Sequence, residues 1–409
     1  MKDDSIEIST KHLPLRIIGF VLAFVIAISA FAFGVKKLSG NEAGYAAVAA
    51  RADGDAPMYA VHFRLTYNFS GNSRAIRLLK NEISDAYSDS LGRLYKLTDA
   101  ENDYPGYEGN LADLNKRLNR EVTLPRELFD ILCDALERTE RGEGYSIYAA
   151  PLYAEWESIA YSLDAEEFDP MINSDERERL RAIADACADP DNRSLEIVDA
   201  ENCVVRLNAA QSYLEFLEEY ELPRTLLDLN VMRDAYLLRG VAAAMEQRGF
   251  ADGFLSTTGG LTASLSGHTD GEYVIYNYVN NAAQFAASVP VIPSAASAAF
   301  TAFPVGEEAA GFYQISGLLR CAARPAVTGE DAAIRSVFVL RRDADIVAAC
   351  YDAFACFLRS SLPGAVPDGV DLLTLTTSDG DGKTLMAGGS DVQLLSLRPG
   401  FSAVNTTSP

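Results

Sequence analysis

Apolar residues recur at helical spacing in some stretches of the chain and alternate with polar ones in others. Ile76, Leu79, Ile83 and Tyr87 share one helical face, as do Leu128, Ile131, Leu132, Ala135 and Leu136 behind Pro125, a residue suited to a first helical turn. Tyr59 to Tyr67 alternates and predicts a strand, while Ser194–Ile197 and Cys203–Leu207 flank the polar residues Asp199 to Asn202 and predict a hairpin. Leu226 to Leu229 reads as a strand edge, Asn230 as a helix cap, and the apolar-faced run through Met245 as a helix that stops at Gly249. Gly253–Ser256 and Ser336–Leu340 predict strands, the second leading into a helix from Asp345 to Arg359. Gln211 to Glu221 predicts an amphipathic helix with Tyr213, Phe216 and Leu217 on its apolar side. Leu372–Thr376 and Thr384–Met386 flank Ser378 to Gly382, which we read as a hairpin turn, because a calcium loop needs more ligands and a closing Glu.

One run fits neither period. From Ile17 to Val35 the chain carries no charge, with Arg16 before it and Lys36 and Lys37 after it. That length just crosses a bilayer core, and the apolar character on all sides with basic flanks predicts a single membrane segment. The expected organisation is a cytoplasmic stretch at 1–16, the anchor at 17–35, an Ala- and Gly-rich linker at 36–56, one folded domain at 57–396 and a flexible tail at 397–409. The main domain is expected outside the cytoplasm at the cell membrane. Ala30-Phe31-Ala32 also fits a signal-peptidase site, so release in place of tethering stays open.

Composition narrows the chemistry. The 409 residues hold 35 basic and 58 acidic side chains, a net charge of −23, which excludes a nucleic-acid binder relying on clustered Lys and Arg. His12, His62 and His268 stand isolated in the sequence, and Cys133, Cys187, Cys203, Cys321, Cys350 and Cys356 show no CxxC spacing, which argues against zinc or a c-type haem. In an oxidising compartment those cysteines could pair, and buried free thiols are an equal alternative.

Four segments then occur in the order found in the FAD:protein FMN transferase (ApbE) family. Leu111-Ala-Asp-Leu-Asn115 is similar to "SELSRLN", and Gly144-Tyr145 through Pro151-Leu-Tyr-Ala-Glu-Trp156 resembles "GAFDPTVGPLVRLW". Leu227-Asp228-Leu229 through Asp234-Ala235-Tyr236 resembles "IDLGGIAKGYA", with Asp234 in place of Lys and Ala235 in place of Gly. Gly259-Gly260 is similar to the turn of "NLGGD". Arg324 to Gly329, Ser336-Val337 and Asp352-Ala-Phe-Ala-Cys356 resemble "HHIIDPKTG", "SVTV" and "DALAT", with Cys356 in place of Thr and no histidine after His268.

The resemblance implies an α+β fold, two lobes with mixed sheets and packed helices around a cleft. It implies FAD bound near Asp228, Tyr236, Gly259 and Gly260, and Mg²⁺ held at Asp352 and Cys356. The reaction it implies moves FMN from FAD onto a Thr or Ser of an extracytoplasmic flavoprotein, for example in a membrane redox complex. No catalytic residue can be carried over. Hard Mg²⁺ wants oxygen, so a thiol at position 356 is a poor ligand, and Arg233, Arg239, Arg320, Arg324, Arg341 or Arg342 would have to replace the lost positive charge. The alternative is a degenerate member acting as a flavin-binding or protein-interaction module.

Overall fold

The computed structural model describes residues 43–51, 59–268, 270–305, 310–328, 334–359, 363–377, 382–387 and 392–406. A nine-stranded sheet organises them. From edge to edge it runs Gly44–Val48, Phe63–Phe69, Gly253–Thr257, Leu261–Ser264, Ala296–Thr301, Ile334–Arg341, Leu372–Thr377, Gly382–Ala387 and Phe401–Thr406. All neighbours are antiparallel except the last two strands, which pair in parallel, so the sheet is mixed.

The Ile334–Arg341 strand shows why this sheet lies inside the molecule. Its run of apolar residues is buried on both faces: Val337 and Val339 enter the main core, while Phe338 and Leu340 meet Tyr273, Ile275 and Val289 of a second sheet. That second sheet pairs Glu272–Val279, Ala282–Pro290 and Ser396–Leu397. On the main-core side the Ile346–Phe357 helix packs on the Ala296–Thr301 and Ile334–Arg341 strands, and the Arg233–Gln247 helix packs on the long Ser73–Thr98 helix. The predicted hairpin forms as Arg193–Asp199 against Val204–Ala209, with Asp199 Oδ1 accepting the Glu201 and Asn202 amides in the turn. The amphipathic helix forms at Gln211–Glu219 with Tyr213 and Leu217 buried.

Several expectations change. The strand expected from Tyr59 starts at Phe63, after one helical turn at Tyr59–His62. Gly44–Val48, inside the stretch read as linker, is an edge strand registered Val48 to Leu65, and Val48 is buried. Phe401–Thr406, inside the expected tail, forms the opposite edge. Leu226 to Leu229 is no strand, because its amides bond elsewhere: Leu226 and Leu227 to Asn115 Oδ1, Asp228 to the Ile147 carbonyl. Asn230 caps no helix with its side chain. It adopts a left-handed φ of 37° at the start of a short 3-10 turn, and Asp228 Oδ1 accepts its amide at 3.0 Å. All six cysteines are free thiols. Ile17 to Val35 lies outside the described residues, and among those described no helix is long and apolar enough to cross a membrane.

Candidate functional site

The first two family-like segments meet just ahead of the Arg233–Gln247 helix. Asn115, at the end of the first, is buried and makes four backbone bonds. Its Oδ1 accepts the Leu226 and Leu227 amides at 3.1 and 2.9 Å, and its Nδ2 donates to the Ala100 and Leu227 carbonyls. Tyr145 donates its phenol to the Asp228 carbonyl at 2.9 Å. Gly144, at φ 91°, lies so close to the Ile346–Phe357 helix that a Cβ would come within 2.9 Å of Ala355 Cα. Trp156 is fully buried and donates its indole N–H to the Cys321 carbonyl at 2.9 Å, the core aromatic its pattern suggested.

Around Asp228 the site is acidic. Asn230 Nδ2 reaches Glu157 Oε1 at 3.3 Å, so its backbone amide meets one carboxyl and its side chain another. Burial pushes the Asp228 carboxyl above its usual range, against the opposing pull of the Asn230 amide and Arg233. Burial raises Glu157 as well, with Asn230 opposing and the Asp228 charge adding. Arg233 turns away: its guanidinium stacks 4.1 Å over Tyr95 and donates to Thr98 Oγ1 and the Tyr95 carbonyl. Arg239 likewise goes to Asp134, over the Tyr236 ring. Tyr236 is buried against Tyr351, with neither phenol in a well-aligned hydrogen bond.

Asp352 and Cys356 lie one helical turn apart on the Ile346–Phe357 helix. The Asp352 carboxylate faces Arg341, whose Nη1 donates to Oδ2 at 2.7 Å while the same guanidinium holds Asp343 and the Asp368 carbonyl. Burial raises the Asp352 carboxyl and Arg341 opposes the rise. Cys356 is buried, and desolvation pushes its thiol up to about 11, so it stays protonated and is no ligand for a hard cation. The pair does not fit Mg²⁺: one group is ion-paired and the other is a neutral thiol. Among the described residues no group of three His, Cys, Asp or Glu side chains could hold a metal. Arg320 is locked in a buried pair with Asp169 at 2.9 Å, Arg324 donates to the Ile334 and Phe357 carbonyls, and Arg342 meets Asp371 through its backbone amide.

At the Gly259–Gly260 turn, between the Gly253–Thr257 and Leu261–Ser264 strands, the sequence reading missed a cluster. Gly260 has φ 96°, and a Cβ there would sit 2.8 Å from the Ala299 carbonyl oxygen, so glycine is required by the backbone. Gly259 is open, with Thr257 Oγ1 at 3.6 Å and His62 Cε1 at 3.8 Å from a would-be Cβ. His62 bonds Asp234 Oδ2 through Nε2 and Thr258 Oγ1 through Nδ1. The isolated histidine of the sequence is therefore partnered by residues 172 and 196 positions away. Asp234, in the place of the family's lysine, carries this contact, while Arg233 and Arg239 of the same helix turn to Tyr95 and Asp134.

The four sequence-derived environments are thus distinct. Asp228 faces the Asn230 amide, Tyr236 faces Tyr351, Asp352 faces Arg341, and Gly259–Gly260 adjoins the His62 group. Glu157, Asn230, His62 and Thr258 join the picture only through tertiary contacts. The sequence offered Asn230 as a cap inside the motif, His62 as an isolated histidine and Glu157 beside the motif tryptophan, but not their partners.

No family model and no curated protein matches the chain. Solved structures do. The ApbE protein of Thermotoga maritima aligns over 78% of this chain and 92% of its own, at 15% identity and a TM-score of 0.50. The flavin transferase ApbE from Vibrio cholerae aligns over 84% and 97%, at 15% identity and a TM-score of 0.51. The resemblance read in the motifs is borne out at the level of the fold: the chain has a mixed α+β fold like that of these ApbE proteins.

Proposed function

We propose that this chain is an ApbE-like protein that has given up Mg²⁺-dependent flavin transfer and acts as a flavin-binding or protein-interaction module, held at the membrane by residues 17–35 with its folded part outside the cytoplasm. The observation that carries this is Asp352: the one acid retained from the metal motif is neutralised by Arg341, and its motif partner is a buried protonated thiol. The helix start that should meet a pyrophosphate presents Asp234, and Arg233 and Arg239 point elsewhere. A carboxylate in place of an ammonium removes a charge-assisted bond of about 1.5–3 kcal/mol and adds repulsion. Support for a protein partner, such as a subunit of a membrane redox complex, comes from the segment after the Ala150–Ala160 helix. There Tyr161, Leu163, Phe168 and Ile172 expose apolar surface, Leu163 completely.

Flavin fluorescence of FAD titrated with the full chain, with and without Mg²⁺, tests this reading. The expected outcome is no Mg²⁺-dependent gain in affinity. Tight Mg²⁺-dependent binding that Asp352→Ala abolishes would restore the competing reading, a membrane-anchored FAD:protein FMN transferase acting on a flavoprotein Thr or Ser.

A further inference from the structure

The His62, Thr258 and Asp234 side chains form an arrangement that no part of the flavin-transfer reading uses. We propose that Thr258 is a nucleophile activated by His62, with Asp234 as the positioning residue, and that this group accepts an acyl unit from a carboxylic ester. Three features carry the inference. First, the partners suit the tautomer the reaction needs: in the neutral ring with its proton on Nε2, that nitrogen donates to Asp234 and the Nδ1 lone pair faces the Thr258 hydroxyl. That is the order of parts in a hydroxyl–imidazole–carboxylate relay, recognised by geometry and not by sequence position.

Second, the nucleophile and base are fixed to one another by backbone as well as side chain. The Thr258 amide donates to the His62 carbonyl at 3.0 Å, and Thr257 Oγ1 accepts the Leu261 amide at 3.2 Å, which ties down the turn. The imidazole also meets the Phe63 ring edge-on, 5.1 Å between centroids. Third, the group is reachable. Thr258 is exposed, His62 and Asp234 keep 35% and 28% of their side-chain surface, and Gly259 brings no side chain over the hydroxyl.

The step balances without a cofactor. Thr258 Oγ attacks the ester carbonyl carbon as its proton passes to His62 Nδ1; the carbon–alkoxy bond breaks and the alkoxide takes that proton, leaving an acyl-threonine. Water repeats the sequence, releases the acid and restores the hydroxyl. Nothing is oxidised or reduced. This inference does not depend on flavin binding.

A fluorophosphonate probe reads the first half of the reaction directly, because Thr258 Oγ displaces fluoride from phosphorus and keeps the adduct. Incubating the purified full chain with the probe and mapping the adduct by mass spectrometry should place it on the peptide carrying Thr258. Thr258→Val should abolish it and Thr258→Ser should keep it. His62→Gln should slow labelling by about 100-fold, in the range of general-base catalysis. Asp234→Asn should slow it by about tenfold and Asp234→Glu should restore most of the rate, whereas in the His62→Gln background neither change should matter, a coupling that a merely structural role of Asp234 would not show. Circular dichroism of each variant separates misfolding from lost reactivity. Absence of any adduct on the folded wild-type chain, or labelling unchanged in His62→Gln, overturns the proposal.

Discussion

Two aspartates sit at opposite ends of the family resemblance. Asp352 stands where the motif is kept, and Asp234 where it is broken. The kept acid is held by Arg341 at 2.7 Å, beside a buried thiol. The substituted acid orients a histidine whose other nitrogen meets an exposed hydroxyl. A carboxylate's chemistry is set by what faces it, and here the match in sequence and the reactive arrangement fall on different residues.

Removing the cation from the first pair breaks the comparison most severely. Arg341→Met leaves Asp352 without its charge partner in a half-buried place, with an expected loss of about 2–3 kcal/mol at neutral pH by denaturant unfolding. The loss should shrink in acid as Asp352 takes up a proton. If Mg²⁺ raised the Tm of Arg341→Met but not of the wild type, Asp352 would be a latent metal ligand and the contrast with Asp234 would fall.

Next in size is the turn that carries Thr258. Gly260→Ala places a Cβ against the Ala299 carbonyl at an unfavourable φ and should cost about 1–2 kcal/mol, whereas Gly259→Ala should change stability by less than about 0.5 kcal/mol. Equal effects at both positions would mean the turn is not held as described.

A third acid sharpens the comparison because burial outweighs the pull of its nearest charge, Arg233. Burial raises Asp228 above its ordinary value, so between the unfolded and folded values the native chain holds more protons, and stability falls as pH rises through that window. Asp228→Asn keeps an acceptor for the Asn230 amide and removes this loss. Its Tm should exceed the wild type's at neutral pH, and the gap should close below about pH 4. A variant less stable than the wild type at neutral pH would refute the assignment of burial as the dominant cause.

The smallest effect is expected at the second aspartate itself. Asp234→Asn, at a partly exposed pair, should move stability by less than about 1 kcal/mol in thermal unfolding. A larger loss would show that the His62 contact is part of the scaffold.

How far the sequence reaches follows from the same residues. Ile76, Ile83 and Tyr87, or Leu195 facing Leu207, announce their elements because periodicity is local and survives in one short window. The strand at Gly44–Val48 is hidden because an edge strand of Ala and Gly buries little; Val48 alone in it is fully buried, with Ala46 packed at the margin of the core. The motif segments name the ApbE-like fold, since their spacing follows from backbone packing such as Gly144 against Ala355. They do not reveal that Arg341 takes Asp352, or that His62 joins Thr258 and Asp234. The first joins a strand to the next helix across 11 residues and the others join residues 172 and 196 positions apart, and none leaves a periodic trace.

The four bonds of Asn115 bear on the order of folding. Its partners at Leu226 and Leu227 lie 111 and 112 residues downstream, so the latch closes only after a long loop has lost its freedom. Asn115→Ala should therefore accelerate unfolding far more than it slows refolding, as for a contact absent from the transition state. During synthesis the loop from Leu226 to Asp228 cannot be set until that stretch has left the ribosome, and by then the Ser73–Thr98 helix has long been exposed without the Arg233–Gln247 helix that packs on it.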